Sequence, residues 1–135
     1  MIACVLSLIV AAPRFAHAET QQISVDDLDR LLVSGVPLID VRRADEWRAT
    51  GIVAGSRMIT AYDSQGNLDP RFVDTITTSF PLDRPVALIC RSGNRSAIAA
   101  QVLSEQLGYQ HVFNVEGGIQ QWIRERRPIA ACPSC

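Results

Sequence analysis

The chain has 135 residues, room for one domain but not two ordinary ones, and 47% of them are hydrophobic, which supplies a core and argues against disorder. Its formal net charge of -1 gives no reason to expect nucleic acid or an anionic membrane surface as partner. All 13 basic side chains are Arg, so Schiff-base chemistry on a lysine is excluded.

Residues 1–18 stand apart in composition. Ile2 to Ala12 is an almost unbroken apolar run, followed by Pro13 and the small-x-small site Ala16-His17-Ala18. That order predicts a secretory signal peptide, although no Lys or Arg precedes the run. The run is shorter than the roughly 20 apolar residues a membrane span needs, so no stable span is expected once the leader is removed. Cys4 lies at the start of the run, unlike a lipoprotein acylation site. The remaining chain divides into a folded domain over 19–128 and a tail over 129–135, with a periplasmic or secreted location expected.

Along the domain, strand-like and helix-like segments alternate. Ile23 opens a short strand and Ser24 suits an N-cap, with Asp26, Asp27 and Asp29 near the positive end of the helix that follows. Those carboxylates read as solvated caps rather than metal ligands. Leu28, Leu31 and Leu32 form the apolar stripe, and Gly35 ends the helix. Val36 to Val41 is a buried strand, Ala44 to Thr50 a two-turn helix closed by Gly51, and Arg57 to Ile59 a weaker strand. Tyr62 to Asp69 is turn-rich and predicts a surface loop. Pro70 suits a helix start, with Phe72, Val73 and Ile76 on one face. Pro85 to Cys90 is an apolar strand, Arg91 to Ser96 a polar loop, and Ala97 to Gln106 a helix stopped by Gly108. Val112 to Val115 is a further strand, broken by Gly117-Gly118, and Ile119, Trp122 and Ile123 mark a last helix. Trp47 and Trp122 read as packing anchors, and His111 as a surface residue. The alternation implies an α/β sandwich with a mainly parallel central sheet and helices on both faces. Ligands in such folds sit beyond the carboxyl ends of the strands, which is where Cys90 falls.

A cysteine ending a buried strand is usually a small hydrophobe. The next six residues argue for chemistry instead. Gly93 lets the loop curl around the sulfur, successive backbone N–H groups form an anion nest, and the next helix adds its positive end. Arg91 and Arg95 add positive charge, so the surroundings favour an anionic thiolate. Beyond the leader the cysteines are Cys90, Cys132 and Cys135, and this odd count leaves one thiol beside a possible bridge.

The segment Cys90-Arg91-Ser92-Gly93-Asn94-Arg95-Ser96 resembles the active-site loop of single-domain rhodaneses, a sulfurtransferase family. Three further motifs resemble that family in the same order: Asp40-Val41-Arg42 at a strand end, Glu46-Trp47 before a glycine, and Gly117-Gly118 followed by Trp122. The likeness runs from about Ile23 to Trp122. It departs at Gly51-Ile52-Val53, where the family often has Gly-His-Ile. The resemblance implies that Cys90 takes a sulfur atom from a small anion such as thiosulfate and passes it, as a persulfide, to a thiophilic acceptor, which can be cyanide, a thiol or a protein. It implies that Arg91, Ser92, Gly93, Asn94, Arg95 and Ser96 line the substrate site, with Asp40, Arg42 and Glu46 as structural support. Arg95 is expected to brace the loop through Asp40 or Glu46. No cofactor and no metal is implied.

Two other functions share these residues. A non-catalytic persulfide carrier or interaction module for a dedicated partner needs the same loop. A phosphatase or arsenate reductase also needs Cys and Arg, but such loops hold one residue more than the four between Cys90 and Arg95. The tail Cys132-Pro133-Ser134-Cys135 suits a redox pair or half a zinc site; with His111 alone, zinc would need a dimer. A disulfide is the expected state in an oxidising compartment. Its sharper role would be to take sulfur from Cys90, or to reduce it, once the pair is itself reduced.

Overall fold

A computed structural model of the protein describes residues 19–135; the leader expected over 1–18 lies outside the described residues. Five parallel strands form one sheet in the order β1-β5-β4-β2-β3: Glu19–Ile23, His111–Val115, Val86–Ile89, Leu38–Asp40 and Arg57–Met58. The helices are α1 (Val25–Val33), α2 (Ala44–Thr50), α3 (Pro70–Ser79), α4 (Asn94–Gln101) and α5 (Gly118–Arg124). The predicted α/β sandwich is therefore the architecture found.

Alternation along the central strands builds two cores. Val86, Leu88, Cys90, Ile39, Val41 and Val112 face one side, under Phe72 and Ile76 of α3 and Ala99 and Ala100 of α4. Ala87, Ile89, Leu38 and Val115 face the other, under Val25 and Leu28 of α1 and Ile119 and Trp122 of α5. A strand covered on both faces reads as a continuous apolar run, which is why β4 was plain in the sequence. It is also why Cys90 emerges from the middle of the sheet, between β2 and β5.

Several element boundaries differ from those expected of the sequence. β1 ends at Ile23 instead of starting there: Thr20, Gln21 and Gln22 form a polar edge strand on β5. An edge with exposed side chains carries no hydrophobic period to read. α4 begins at Asn94, three residues before the predicted Ala97, with Gly93 as N-cap in the left-handed region (φ 97°). Asn94, Arg95 and Ser96 are thus the first helical turn and not loop. The helix widens into a π-helical turn at Val102–Gln106. Tyr62, placed in a surface loop, is buried; the loop closes through an antiparallel bridge between Tyr62 and Leu68.

Ser24 caps α1 as expected, accepting from the Asp27 N–H at 3.1 Å while Asp27 accepts from the Ser24 N–H at 3.3 Å. Asp26 and Asp29 pair with Arg127, which lies over the Trp122 ring at 5.4 Å. The tail is docked: Ala130 exchanges backbone hydrogen bonds with Ile52 at 2.9 and 2.8 Å. Among the described residues no helix is long and apolar enough to cross a membrane.

Candidate active site

β4 ends at Ile89, and the chain turns through Cys90 to Ser92 directly into the N-terminus of α4. The Gly93 N–H donates to Cys90 Sγ at 3.1 Å, and the Ser96 hydroxyl lies 3.2 Å from the same atom. Among the described residues these are its hydrogen-bond donors. Gly93 N–H and the first turn of α4 aim positive partial charge at the sulfur, so the arrangement suits an anionic sulfur species. Cys90 is only 1% exposed, so solvent screens this field little.

α5 fastens the loop from below. The Ile119 N–H donates to the Cys90 carbonyl at 2.9 Å, and the Gln120 N–H to the Arg91 carbonyl at 3.1 Å. Gly118 makes this approach possible: a Cβ there would fall 2.5 Å from the Cys90 carbonyl oxygen and 2.6 Å from that of Arg91. The paired glycines therefore do more than break a strand. They let one helix N-terminus grip the Cys90 loop.

Two ion pairs stand behind the loop. Arg95 meets Glu46 through both carboxylate oxygens, at 2.8 and 2.6 Å. Burial works against the charged Glu46, but hydrogen bonds from Arg95 and the Arg43 N–H outweigh it and hold the carboxyl at about 2. Arg42 meets Asp40 at 2.9 and 2.7 Å, with both side chains almost fully buried, and also donates to Thr50 Oγ1 and the Gly51 carbonyl. The partner of Arg95 is therefore Glu46, not Asp40, because Asp40 is already saturated by Arg42.

Of the predicted site residues, the structure brings Gly93 and Ser96 onto the sulfur and places Arg95, Glu46, Asp40 and Arg42 in the supporting layer. Arg91, Ser92 and Asn94 are exposed at the rim, and their side chains make no hydrogen bond to Cys90. Arg91 lines a cleft of about 410 Å³ with Arg43, Asp45, Glu46 and Gln120. Cys132 and Cys135 form a disulfide seated against Met58, away from the contacts just described.

Two residues escaped the sequence reading. Asn114, 1% exposed, donates to the Gly93 carbonyl at 3.1 Å and to Gln22 at 2.7 Å, tying the loop to β1. Its signal was a polar residue inside the apolar run Val112-Phe113-Asn114-Val115. Tyr62 packs in the same core as Cys90, and its buried hydroxyl has no partner among the described residues. Burial, and then the negative charge of Cys90, push its phenol above the usual value. Nothing in a turn-rich segment marks such a residue as buried.

The family model for the rhodanese-like domain matches residues 24–125, a span that contains the whole of this site. The chain belongs to the rhodanese-like domain family. It is 28% identical over 102 residues to a thiosulfate sulfurtransferase, GlpE, of Pseudomonas aeruginosa, covering 76% of this chain and 83% of that protein. It is 30% identical over 112 residues to rhodanese-like domain-containing protein 17 of Arabidopsis thaliana, covering 79% and 70%. Among solved structures it is similar to a rhodanese-related protein of Thermoplasma volcanium, at 32% identity and a TM-score of 0.60, covering 82% of this chain and 97% of that one. Membership in this rhodanese-like family places the chain among relatives named sulfurtransferases.

Proposed function

We propose that this rhodanese-like domain is an exported sulfurtransferase that carries sulfane sulfur as a persulfide on Cys90. The Cys90 thiolate attacks the outer sulfur of a donor such as thiosulfate; a new S–S bond forms, the donor's S–S bond breaks, and sulfite leaves with the electron pair. A thiophilic acceptor then attacks the outer persulfide sulfur and returns Cys90 as thiolate. With cyanide the product is thiocyanate; with a thiol it is a new persulfide. The observation that carries this reading is the donor cradle of Gly93 N–H and Ser96 Oγ around Cys90 Sγ. It favours sulfur in its anionic forms, before and after loading. Arg91, exposed on the adjoining cleft, supplies a positive charge that draws an anionic donor in.

Two observations weigh the other readings. A phosphatase needs its loop arginine free to hold an oxyanion, but Arg95 is committed at both ends of its guanidinium to Glu46. The near-complete burial of Cys90 favours the carrier reading, in which a dedicated partner opens the rim before sulfur leaves.

Mass spectrometry of the intact protein after incubation with thiosulfate decides the main claim. The expected result is a gain of one sulfur atom that cyanide removes and that Cys90→Ser does not acquire. A gain retained in Cys90→Ser, or no gain with any sulfane donor, would overturn it. Rapid thiocyanate production marks an enzyme; stable loading with slow loss to cyanide marks a carrier.

A further inference from the structure

One motif singled out in the sequence is not absorbed by the Cys90 site: the tail Cys132-Pro133-Ser134-Cys135. It is held on both sides. Upstream, Ala130 pairs with Ile52, and downstream Arg48 Nη1 donates to the Cys135 main-chain oxygen at 2.5 Å. This docking lays the cysteines on Met58, at the end of the edge strand β3. Met58 Sδ is 3.0 Å from Cys135 Sγ and 3.8 Å from Cys132 Sγ.

Three sulfur atoms from two distant parts of the chain thus converge at the surface. Met58 is 39% exposed, so core packing does not explain where its thioether lies. Two thiolates and a thioether form a wholly soft, three-coordinate donor set. Such a set selects Cu(I) over harder divalent ions, whereas structural Zn(II) asks for four ligands, usually with thiolate or imidazole. The Arg48 guanidinium beside Cys135 offsets the negative charge that two thiolates bring.

We propose that the reduced tail and Met58 form a surface site for Cu(I), with Cys132, Cys135 and Met58 as ligands. In the disulfide state the site is closed. A dithiol reductant opens it, giving two electrons and two protons to the Cys132–Cys135 bond and becoming a disulfide itself. Cu(I) then displaces the two thiol protons and takes the neutral thioether of Met58 as its third ligand; the metal does not change oxidation state. The site lies apart from the Cys90 cradle and does not depend on the sulfur-transfer reading.

The test uses the full chain carrying Cys4→Ser and Cys90→Ser, so that the tail holds its only thiols. After reduction with a dithiol and anaerobic desalting, the protein is titrated against the Cu(I)–bicinchoninate complex, and the bound metal is examined by X-ray absorption. The expected result is transfer of one Cu(I) per chain into a three-sulfur environment, with no transfer to the oxidised chain. Adding Cys132→Ser and Cys135→Ser abolishes transfer. Met58→Leu, which keeps a similar size on an exposed edge, weakens binding at least about tenfold and leaves two sulfur ligands. No transfer to the reduced chain would overturn the proposal. So would equal transfer to the oxidised chain, or unchanged affinity and coordination in Met58→Leu.

Discussion

At the scale of single residues, the site depends on one missing side chain and one carboxylate. Gly118 sits at φ 57° with the carbonyls of Cys90 and Arg91 where its Cβ would go. Gly118→Ala must push α5 away and break two hydrogen bonds that hold the loop. We expect a loss of about 2–4 kcal/mol in urea denaturation and slower sulfur loading, since backbone atoms cannot yield as a flexible side chain can. Glu46 makes a prediction about acid. Its carboxyl lies at about 2 in the folded chain against an ordinary 4.5. A depressed carboxylate adds stability that is fully present above about pH 4.5 and is lost as pH falls towards 2. Allowing for the partial exposure of Arg95, the loss should be roughly 1–2 kcal/mol. Denaturation midpoints measured across that window should fall more steeply for the native chain than for Glu46→Gln; parallel curves would refute the assignment. Cys90 and Arg95 stood out in the sequence by their chemistry, and Glu46 through the family resemblance. Asn114 was not, because its role is to satisfy a carbonyl that only the folded loop creates.

Elements show the same division. α2 was bounded correctly at Ala44–Thr50 because a run long enough for two turns ends on a glycine. Helix α1 and strand β4 were also plain, one from its N-cap serine and apolar stripe, the other from its continuous apolar run. The start of α4 was not, because its N-cap is Gly93, which offers no capping side chain, and because Asn94 to Ser96 carry polar, loop-like character. Register and strand order were beyond reach for a different reason: β1 pairs with β5 across the whole length of the domain, and polar edges carry no pattern. The buried pair Asp40–Arg42 is what joins elements here, since Arg42 spans from the end of β2 to Thr50 and Gly51 at the end of α2. Asp40→Asn leaves a buried guanidinium without its counter-charge, and we expect it to cost roughly 3–5 kcal/mol in chemical denaturation. Replacing both partners, Asp40→Leu with Arg42→Met, should cost less than the single change. If the double variant is the weaker, the pair stabilises the fold outright and the cost does not arise from an orphaned charge.

At the scale of the whole molecule, the last residues belong to the fold and not to an appendage. Ile129 packs on the α1–α5 core, Ala130 pairs with Ile52, and Trp122 Nε1 donates to the Pro128 carbonyl at 2.8 Å. The tail crosses directly over Gly51, where a Cβ would meet Ile129 Cγ2 at 2.4 Å and the Ala130 oxygen at 2.6 Å. Gly51 also sits at φ 77°, which disfavours any side chain regardless of neighbours. Two separate penalties therefore fall on Gly51→Ala: backbone strain, and collision with the tail. A double-mutant cycle separates them. Ending the chain at Pro128 should cost about 1–3 kcal/mol, from the lost Ile129 burial and the two backbone hydrogen bonds, while leaving sulfur loading at Cys90 unchanged. In that shortened chain the collision is gone, so Gly51→Ala should cost only the strain, roughly 1–2 kcal/mol. In the full chain the same change should cost measurably more, or should release the tail, visible as faster amide exchange at Ile52 and Ala130. Equal costs in both backgrounds would mean that the tail does not rest on Gly51 in solution.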